Sequence, residues 1–298
     1  MQPDNVVILQ AAFTMAVRRG AKSTLLFIDS LDDLVYPKPI PRGFSLILIS
    51  KRKKFEFTEA EEASLAGRAK AMVTLPKLAL TRLAKMKLAL LMALSRGQIT
   101  AEGPIVCIVG QSDQEPLDAI QFIDPTRENE LLTFRGQGKI SESIQPEVFQ
   151  AVLMLSMELA EKGREGKPVG TTFVVGDAER VWQLSKQMII NPFKGYDEEE
   201  RNILSPGLKE TIREFSGLDG AFVIGSEGTV LTAGRYLNTA ADIAQLPRGL
   251  GSRHLAAAGI TALTQAVAFV ISESSGDVRI FKDGKIIMEI EKSTSRGK

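Results

Sequence analysis

Three short stretches in the second half of this chain carry the residue types that handle phosphates, protons and metals. The first is Asp219-Gly220-Ala221, at the head of an apolar run over 221–224. A carboxylate at the mouth of a strand can hold a divalent cation or accept a proton. Gly220 and Ala221 are small enough for a ligand to approach the backbone there. The plainer alternative is a turn leading into a strand. The second stretch is Leu250-Gly251-Ser252-Arg253-His254, immediately before a small-residue helix expected over 256–264. A helix start offers free N–H groups and the positive end of the dipole. A hydroxyl, a guanidinium and an imidazole gathered there can cradle a phosphate, and the imidazole can ligate a metal. The alternative is a capping serine beside a surface Arg-His pair. The third stretch, Ser272-Glu273, ends another apolar run and can add a second carboxylate, or be an ordinary polar turn.

Other signals are weaker. Lys51-Arg52-Lys53-Lys54 is followed closely by Glu56, Glu59, Glu61 and Glu62, which reads as a solvated face. Gly163-Arg164-Glu165-Gly166-Lys167 lacks the spacing and the Lys-Ser/Thr ending of a P-loop. The lone Trp182 reads as core.

Composition narrows the classes. The 298 residues suit two domains at roughly 150 residues each. With 44% apolar and 24% charged residues, disordered, collagen-like and disulfide-scaffold classes are excluded. Lys plus Arg is 37 and Asp plus Glu is 36, for a net charge of +1. That balance argues against a phosphate-neutralising nucleic-acid surface. Cys107 is the only cysteine, so neither an intrachain disulfide nor a Cys-based zinc site is available, which fits a reducing cytoplasm. His254 is the only histidine, which excludes zinc motifs built on paired histidines. The N-terminus shows no secretory pattern. The stretch 75–94 carries Lys77, Arg82, Lys85 and Lys87, whereas a bilayer span needs about 20 uninterrupted apolar residues. No membrane contact is expected.

These motifs need elements to position them. Residues 1–125 read as an α/β unit. Helices are expected over 6–17, 59–69 and 77–95, and buried parallel strands at 25–28, 46–49 and 105–109. The polar segment 126–143, with Gly136 and Gly138, reads as a linker. Residues 144–298 read as a mixed α/β domain. Helices are expected over 148–162, 181–189 and 256–264. Strands are expected at 171–175, 221–224, 229–231, 267–271, 278–281 and 286–290, with Asp283-Gly284 as a hairpin turn.

In order and spacing, the second half resembles the diadenylate cyclase domain family. The matching residues are Asp219-Gly220-Ala221, Ala233-Gly234-Arg235-Tyr236-Leu237, Leu250-Gly251-Ser252-Arg253-His254-Leu255-Ala256-Ala257 and Val270-Ile271-Ser272-Glu273-Ser274-Ser275-Gly276. Upstream, Gly166-Lys167-Pro168-Val169-Gly170-Thr171 and Asn191-Pro192-Phe193 resemble the family's opening section. The first half, through Ala16-Val17-Arg18-Arg19-Gly20-Ala21-Lys22 before a strand, more loosely resembles the pyruvate kinase C-terminal domain. The combination resembles a mainly archaeal class of diadenylate cyclases.

The resemblance implies a fold, an activity and roles. The fold is an α/β, pyruvate-kinase C-terminal-like domain followed by a mixed α/β cyclase domain with a central mixed sheet flanked by helices. The activity is condensation of two ATP into cyclic di-AMP and two pyrophosphates, each 3′-hydroxyl attacking the other α-phosphate. Asp219 would bind the metal and help activate the hydroxyl. Ser252, Arg253 and His254 would face the phosphates, with His254 also a possible metal ligand. Gly220, Ala221 and Gly251 would border the ATP, Tyr236 and Leu237 would line the adenine pocket, and Glu273 would stand on the metal side. The metal would be Mn²⁺ or Mg²⁺, with Mn²⁺ favoured by a histidine ligand. One ATP per subunit implies a homo-oligomer containing at least a catalytic dimer, in the cytoplasm. Some members of the family scan DNA with an extra C-terminal region; this chain ends soon after the cyclase strands, so no DNA partner is expected. Where the family often shows Arg-His-Arg, this chain has Arg253-His254-Leu255, and Ser252 and Ser274 stand where Thr and a second Glu are common. Arg248 or Arg235 are candidates to supply the missing guanidinium. Two other readings are a nucleotide-binding sensor with little turnover, and an effector-binding protein whose first half does the main work.

Overall fold

Unbroken apolar runs become the central strands of two separate sheets. In the computed structural model the described residues are 1–52, 64–100, 102–113, 115–124, 143–239, 247 and 249–291. They divide into two compact units, one within 1–140 and one within 141–296. Residues 126–142 of the expected linker at 126–143, the acidic run after Lys53-Lys54 and Arg248 lie outside the described residues.

The N-terminal unit follows the order α1 (Pro3–Arg18), β1 (Ser23–Phe27), β2 (Ser45–Ser50), α2 (Leu65–Arg68), β3 (Ala69–Thr74), α3 (Arg82–Ser95), β4 (Ile105–Gly110) and β5 (Leu117–Ile123). Its sheet runs β3-β2-β1-β4-β5. The first four strands are mutually parallel, and β5 closes the edge antiparallel to β4. Every residue of β1 and β4 is buried, as strands covered on both faces require. Asn5 on α1 is fully buried, and its Oδ1 accepts the Leu117 N–H at 2.8 Å, tying the helix to β5. The buried, unpaired Cys107 has its thiol pushed up to about 12 by burial, so it is an inert core residue. Two strands were not expected. The sequence of β3 mixes Lys70 and Thr74 with small and apolar residues, and β5 carries the exposed Asp118 and Gln121, so neither reads as an apolar run. The helix expected over 59–69 is described only as the single turn α2, after which the chain enters β3.

The C-terminal unit follows α4 (Pro146–Lys162), β6 (Thr171–Val175), α5 (Ala178–Gln183), β7 (Ser185–Gln187), α6 (Leu208–Phe215), β8 (Ala221–Ile224), β9 (Val230–Leu237), α7 (Ser252–Leu263), β10 (Val267–Ile271), β11 (Val278–Lys282) and β12 (Lys285–Ile290). The seven-stranded sheet has the order β12-β11-β10-β6-β8-β9-β7. Only β6 and β8 pair in parallel; all other neighbours are antiparallel, so the sheet is mixed as expected. Phe149 on α4 packs on Phe269, and Phe173 on Phe222, filling one face. Ala257, Ala258 and Ile260 of α7 fill the other. Asp283 and Gly284 both have positive φ, 51° and 75°, as a tight hairpin turn demands.

The helix expected over 181–189 is instead a short helix and a strand. Ser185–Gln187 leaves the helix to pair antiparallel with β9, because edge pairing satisfies backbone groups that a solvated helix end would leave free. Trp182 is not core: it is 46% exposed, with the Arg235 guanidinium 3.6 Å over its ring. Among the described residues, no helix is long and apolar enough to cross a membrane.

Candidate functional site

Strand register gathers the three motifs on one edge of the second sheet. Ala221 of β8 lies beside Thr172 of β6, and Ile271 of β10 lies beside Thr171. The starts of β6 and β8 and the end of β10 are therefore neighbours. Asp219-Gly220 sits just before β8, Gly170 just before β6, and Ser272-Glu273 just after β10. The pairing of Ala221 with Arg235 brings Gly234, Arg235 and Tyr236 alongside. Helix α7 packs on β10, β11 and β6 and delivers its first turn to the same edge. That helix begins at Ser252, four residues earlier than expected, with Gly251 as its N-cap. Ser252, Arg253 and His254 are thus its first-turn residues rather than a preceding loop.

Two glycines allow the close approach. Gly220 has φ +98°, and a Cβ there would lie 2.6 Å from the Arg235 backbone nitrogen. At Gly170 a Cβ would lie 2.7 Å from Arg253 Nη1 and 2.8 Å from Glu273 Cβ. Arg253 joins the parts. Its Nη1 is 3.2 Å from Glu273 Oε2, and its Nη2 is 3.9 Å from Asp219 Oδ1. The Asp219 side chain is 88% exposed, so this contact sets orientation more than stability.

Two hollows meet at Asp219 and Arg253. One, of about 360 Å³, is lined by Asp219, Gly220, Ala221, Tyr236, Leu237 and Ser252, with Thr172, Met188 and Ala256 adding floor and wall. Tyr236 is exposed at its rim and Leu237 is buried in its floor. The second, of about 420 Å³, places Arg164, Lys167 and Gly170 opposite Asp219, Arg253 and Glu273. Both volumes suit parts of a small ligand. The basic turn at 163–167, although no P-loop, thus faces the candidate carboxylates. The sequence signal that could have found it is the Gly166–Thr171 match already noted. A third hollow, of about 760 Å³, is bordered by Gly251, Ser252, Arg253, His254, Glu273 and Arg279.

His254 stands on the first turn of α7 against β11. Its ring is 6% exposed, and its Nε2 lies 3.0 Å from Arg279 Nη1 on β11. Its Nδ1 is buried with no hydrogen-bond partner among the described residues. A metal at Nε2 would have to displace a guanidinium, so this geometry does not support His254 as a ligand. Among the described residues no three His, Cys, Asp or Glu side chains form a metal-sized cluster. Burial first, then the Arg279 and Arg253 charges, depress the His254 pKa to about 4, against a smaller opposing pull from Asp277. The unfolded chain therefore binds the extra proton between about pH 6.5 and 4, and stability is lost as pH falls through that window, by about 3 kcal/mol in full. Denaturation of the wild type and of His254→Gln at pH 7.5 and 4.5 should show the steeper acid loss in the wild type; parallel losses would refute it. Arg235 is not the missing phosphate contact either. Its guanidinium is spent on Trp182 O at 2.8 Å and Ser185 Oγ at 2.7 Å.

With this geometry established, residues 158–286 match the family model described as DisA bacterial checkpoint controller nucleotide-binding, abbreviated DAC. Most of the C-terminal unit lies within that match. Residues 5–133 match a second model, described as "Probable sensor domain DacZ_P". A diadenylate cyclase of Methanocaldococcus jannaschii is 40% identical over 188 residues, 63% of this chain and 60% of that protein. A diadenylate cyclase of Haloferax volcanii is 44% identical over 146 residues, 49% of this chain and 53% of that protein. The chain thus spans between half and two thirds of the length of these curated relatives. Among solved structures, a double mutant of DacA from Staphylococcus aureus is 21% identical, with 50% of this chain and 87% of that chain covered and a TM-score of 0.32. Asp219, Gly220, Ala221, Tyr236, Leu237, Gly251, Ser252, Arg253, His254 and Glu273 all fall inside the matched DAC segment.

Proposed function

We propose that the chain is a diadenylate cyclase, a nucleotidyltransferase that condenses two ATP into cyclic di-AMP and two pyrophosphates. The observation that carries this reading is the meeting of the two hollows at Asp219 and Arg253. One hollow offers Tyr236 and Leu237 to a flat purine, and the other offers Arg164, Lys167 and Arg253 to a polyphosphate. The α-phosphate joins base-bearing ribose to leaving group, and a nucleotide laid across both hollows has it at the junction. Ser252, on the first turn of α7 at the positive end of the helix dipole, borders the same junction. The named archaeal relatives support the same activity.

In this reading two 3′-hydroxyls each form a phosphodiester bond while two α–β phosphoanhydride bonds break. Arg253 stabilises the charge that develops on the phosphate, and Asp219 orients the nucleophilic hydroxyl and assists loss of its proton. A divalent cation fits the donor set. One exposed carboxylate at Asp219, with Glu273 nearby, leaves the remaining positions to phosphate oxygens and water, as Mg²⁺ or Mn²⁺ accepts. Without a histidine ligand, the preference for Mn²⁺ loses its chemical basis. When bound, the cation supplies charge neutralisation at the phosphates.

One edge holds one nucleotide, so both bonds require two such edges face to face, in a homo-oligomer with at least a catalytic dimer. The N-terminal unit, bounded at about residue 125, is read as a pyruvate-kinase C-terminal-like domain. Its four parallel strands with one antiparallel edge support that, and a regulatory or assembly role follows. The cyclase domain is taken from 144 onward. A cytoplasmic setting without DNA or membrane partners fits the balanced charge and the reduced Cys107.

The test is the purified full chain with ATP and Mg²⁺ or Mn²⁺, products read by mass spectrometry across a dilution series. Cyclic di-AMP whose yield per subunit falls on dilution supports both the activity and the paired edges. ATP binding without product in either metal defeats the cyclase reading in favour of a sensor.

A further inference from the structure

The most constrained polar group near the site is the lone histidine, held from behind by a residue that the sequence motifs pass over. Arg279 lies on β11, three residues beyond Gly276, with its side chain 17% exposed. Its guanidinium reaches three partners at once. It pairs with Glu289 on β12, lies 3.7 Å from Asp277 Oδ2, and lies 3.0 Å from His254 Nε2. A guanidinium has only donors and stays charged at all accessible pH. The contact with His254 is therefore an N–H donated to an Nε2 lone pair, and the neutral ring carries its proton on Nδ1. The other tautomer would set N–H against N–H across 3.0 Å.

Phe281, with ring centroids 6.1 Å away, backs the imidazole, and Nδ1 is buried without a partner among the described residues. Leaving a buried donor unpaired carries a desolvation cost. The arrangement accepts that cost and keeps Nε2 on Arg279. The His254 backbone N–H also binds Gly251 O at 3.0 Å, so fixing the ring fixes the first turn of α7. That turn carries Ser252 and Arg253 to the hollow shared with Asp219.

We propose that Arg279 is a positioning residue of the site. It anchors to Glu289 and Asp277, locks His254 as the Nδ1–H tautomer, and thereby holds Ser252 and Arg253 in register with the nucleotide. The role in turnover rests on the cyclase reading; the tautomer and the nucleotide grip do not.

Because His254 is the only histidine, long-range ¹H–¹⁵N correlation spectra of the labelled full chain report its tautomer without ambiguity. At pH 7.5 the wild type should show a protonated Nδ1 and a bare Nε2. Arg279→Met should shift the ring to the Nε2–H form or a mixture and weaken binding of a non-hydrolysable ATP analogue about tenfold. Arg279→Lys, which keeps a charged donor, should restore both. A wild-type ring protonated on Nε2 overturns the proposal. So does an unchanged tautomer in Arg279→Met, or a changed tautomer with unchanged nucleotide affinity. Should Arg279→Met not fold, the wild-type tautomer and a lysine variant matching wild type in spectrum and affinity still decide it. If the wild type makes no cyclic di-AMP yet the tautomer and affinity respond as stated, the cyclase reading fails and the role of Arg279 stands.

Discussion

Asp219→Asn should abolish most cyclic di-AMP synthesis while leaving the fold intact. The substitution keeps size and shape but removes the negative charge that faces Arg253 at 3.9 Å and the basic hollow beyond it. An amide neither holds a divalent cation well nor assists loss of a hydroxyl proton. Losing one group that acts on developing charge lowers turnover by about 10²–10³-fold. The cost in stability should be small, because the side chain is 88% exposed and its ion pair is a surface pair. Binding of an ATP analogue should change far less than turnover, since the purine hollow does not depend on the carboxylate. Turnover within threefold of wild type, measured at saturating ATP in both metals, would remove Asp219 from the chemistry.

Gly220→Ala should cost both stability and nucleotide binding. Two terms add. The residue sits at φ +98°, where an L side chain is strained by about 1–3 kcal/mol. The new methyl would also stand 2.6 Å from Arg235 N and 2.7 Å from the Gly234 carbonyl carbon. Those are backbone atoms of a paired strand and cannot turn aside as a flexible side chain would. The expected loss is about 2–4 kcal/mol, with β9 pushed away from β8 and the hollow between Gly220 and Tyr236 deformed. Gly195→Ala is the control. It has φ +94° with nothing within 4 Å, so it carries the conformational term alone. Thermal unfolding of both variants separates the terms. Equal losses would mean that the β8–β9 contact yields and that the close approach is not needed.

Much of this architecture could be read from the chain, and the exceptions share a cause. The fully buried strands β1, β4, β6, β8 and β10 announce themselves as apolar runs, and α4 by its helical period and terminal Gly163. Three of the four edge strands, all but β12, do not. β3, β5 and β7 are half-solvated, short or polar, and their existence depends on a partner strand that local sequence does not name. The same division holds at the site. Asp219, Gly220, Ser252, Arg253 and Glu273 sit in motifs whose order can be recognised, and the register of β6, β8 and β10 brings them together. Arg279 carries no local signal, because its meaning lies in a contact 25 residues away in sequence. His254 was legible as a candidate site residue, but its packing was not. Which way an imidazole faces is a tertiary fact, set here by Phe281 and Arg279.

The wetness of the candidate edge has a consequence for chemical selectivity. Asp219 at 88% and Glu273 at 61% side-chain exposure stand in bulk solvent, and the two hollows that join there are open rather than enclosed. A phosphoryl centre on such an edge meets water at tens of molar, whereas the intended hydroxyl arrives singly. Closed sites win that competition by expelling the rival nucleophile before reaction. A lone subunit of this protein has no described element to do so. Left to itself it would lose ATP to hydrolysis, and AMP would be the measure of the leak. Commitment to the cyclic product then depends on what covers the edge, and a second nucleotide-loaded edge brings the roof and the right nucleophile together.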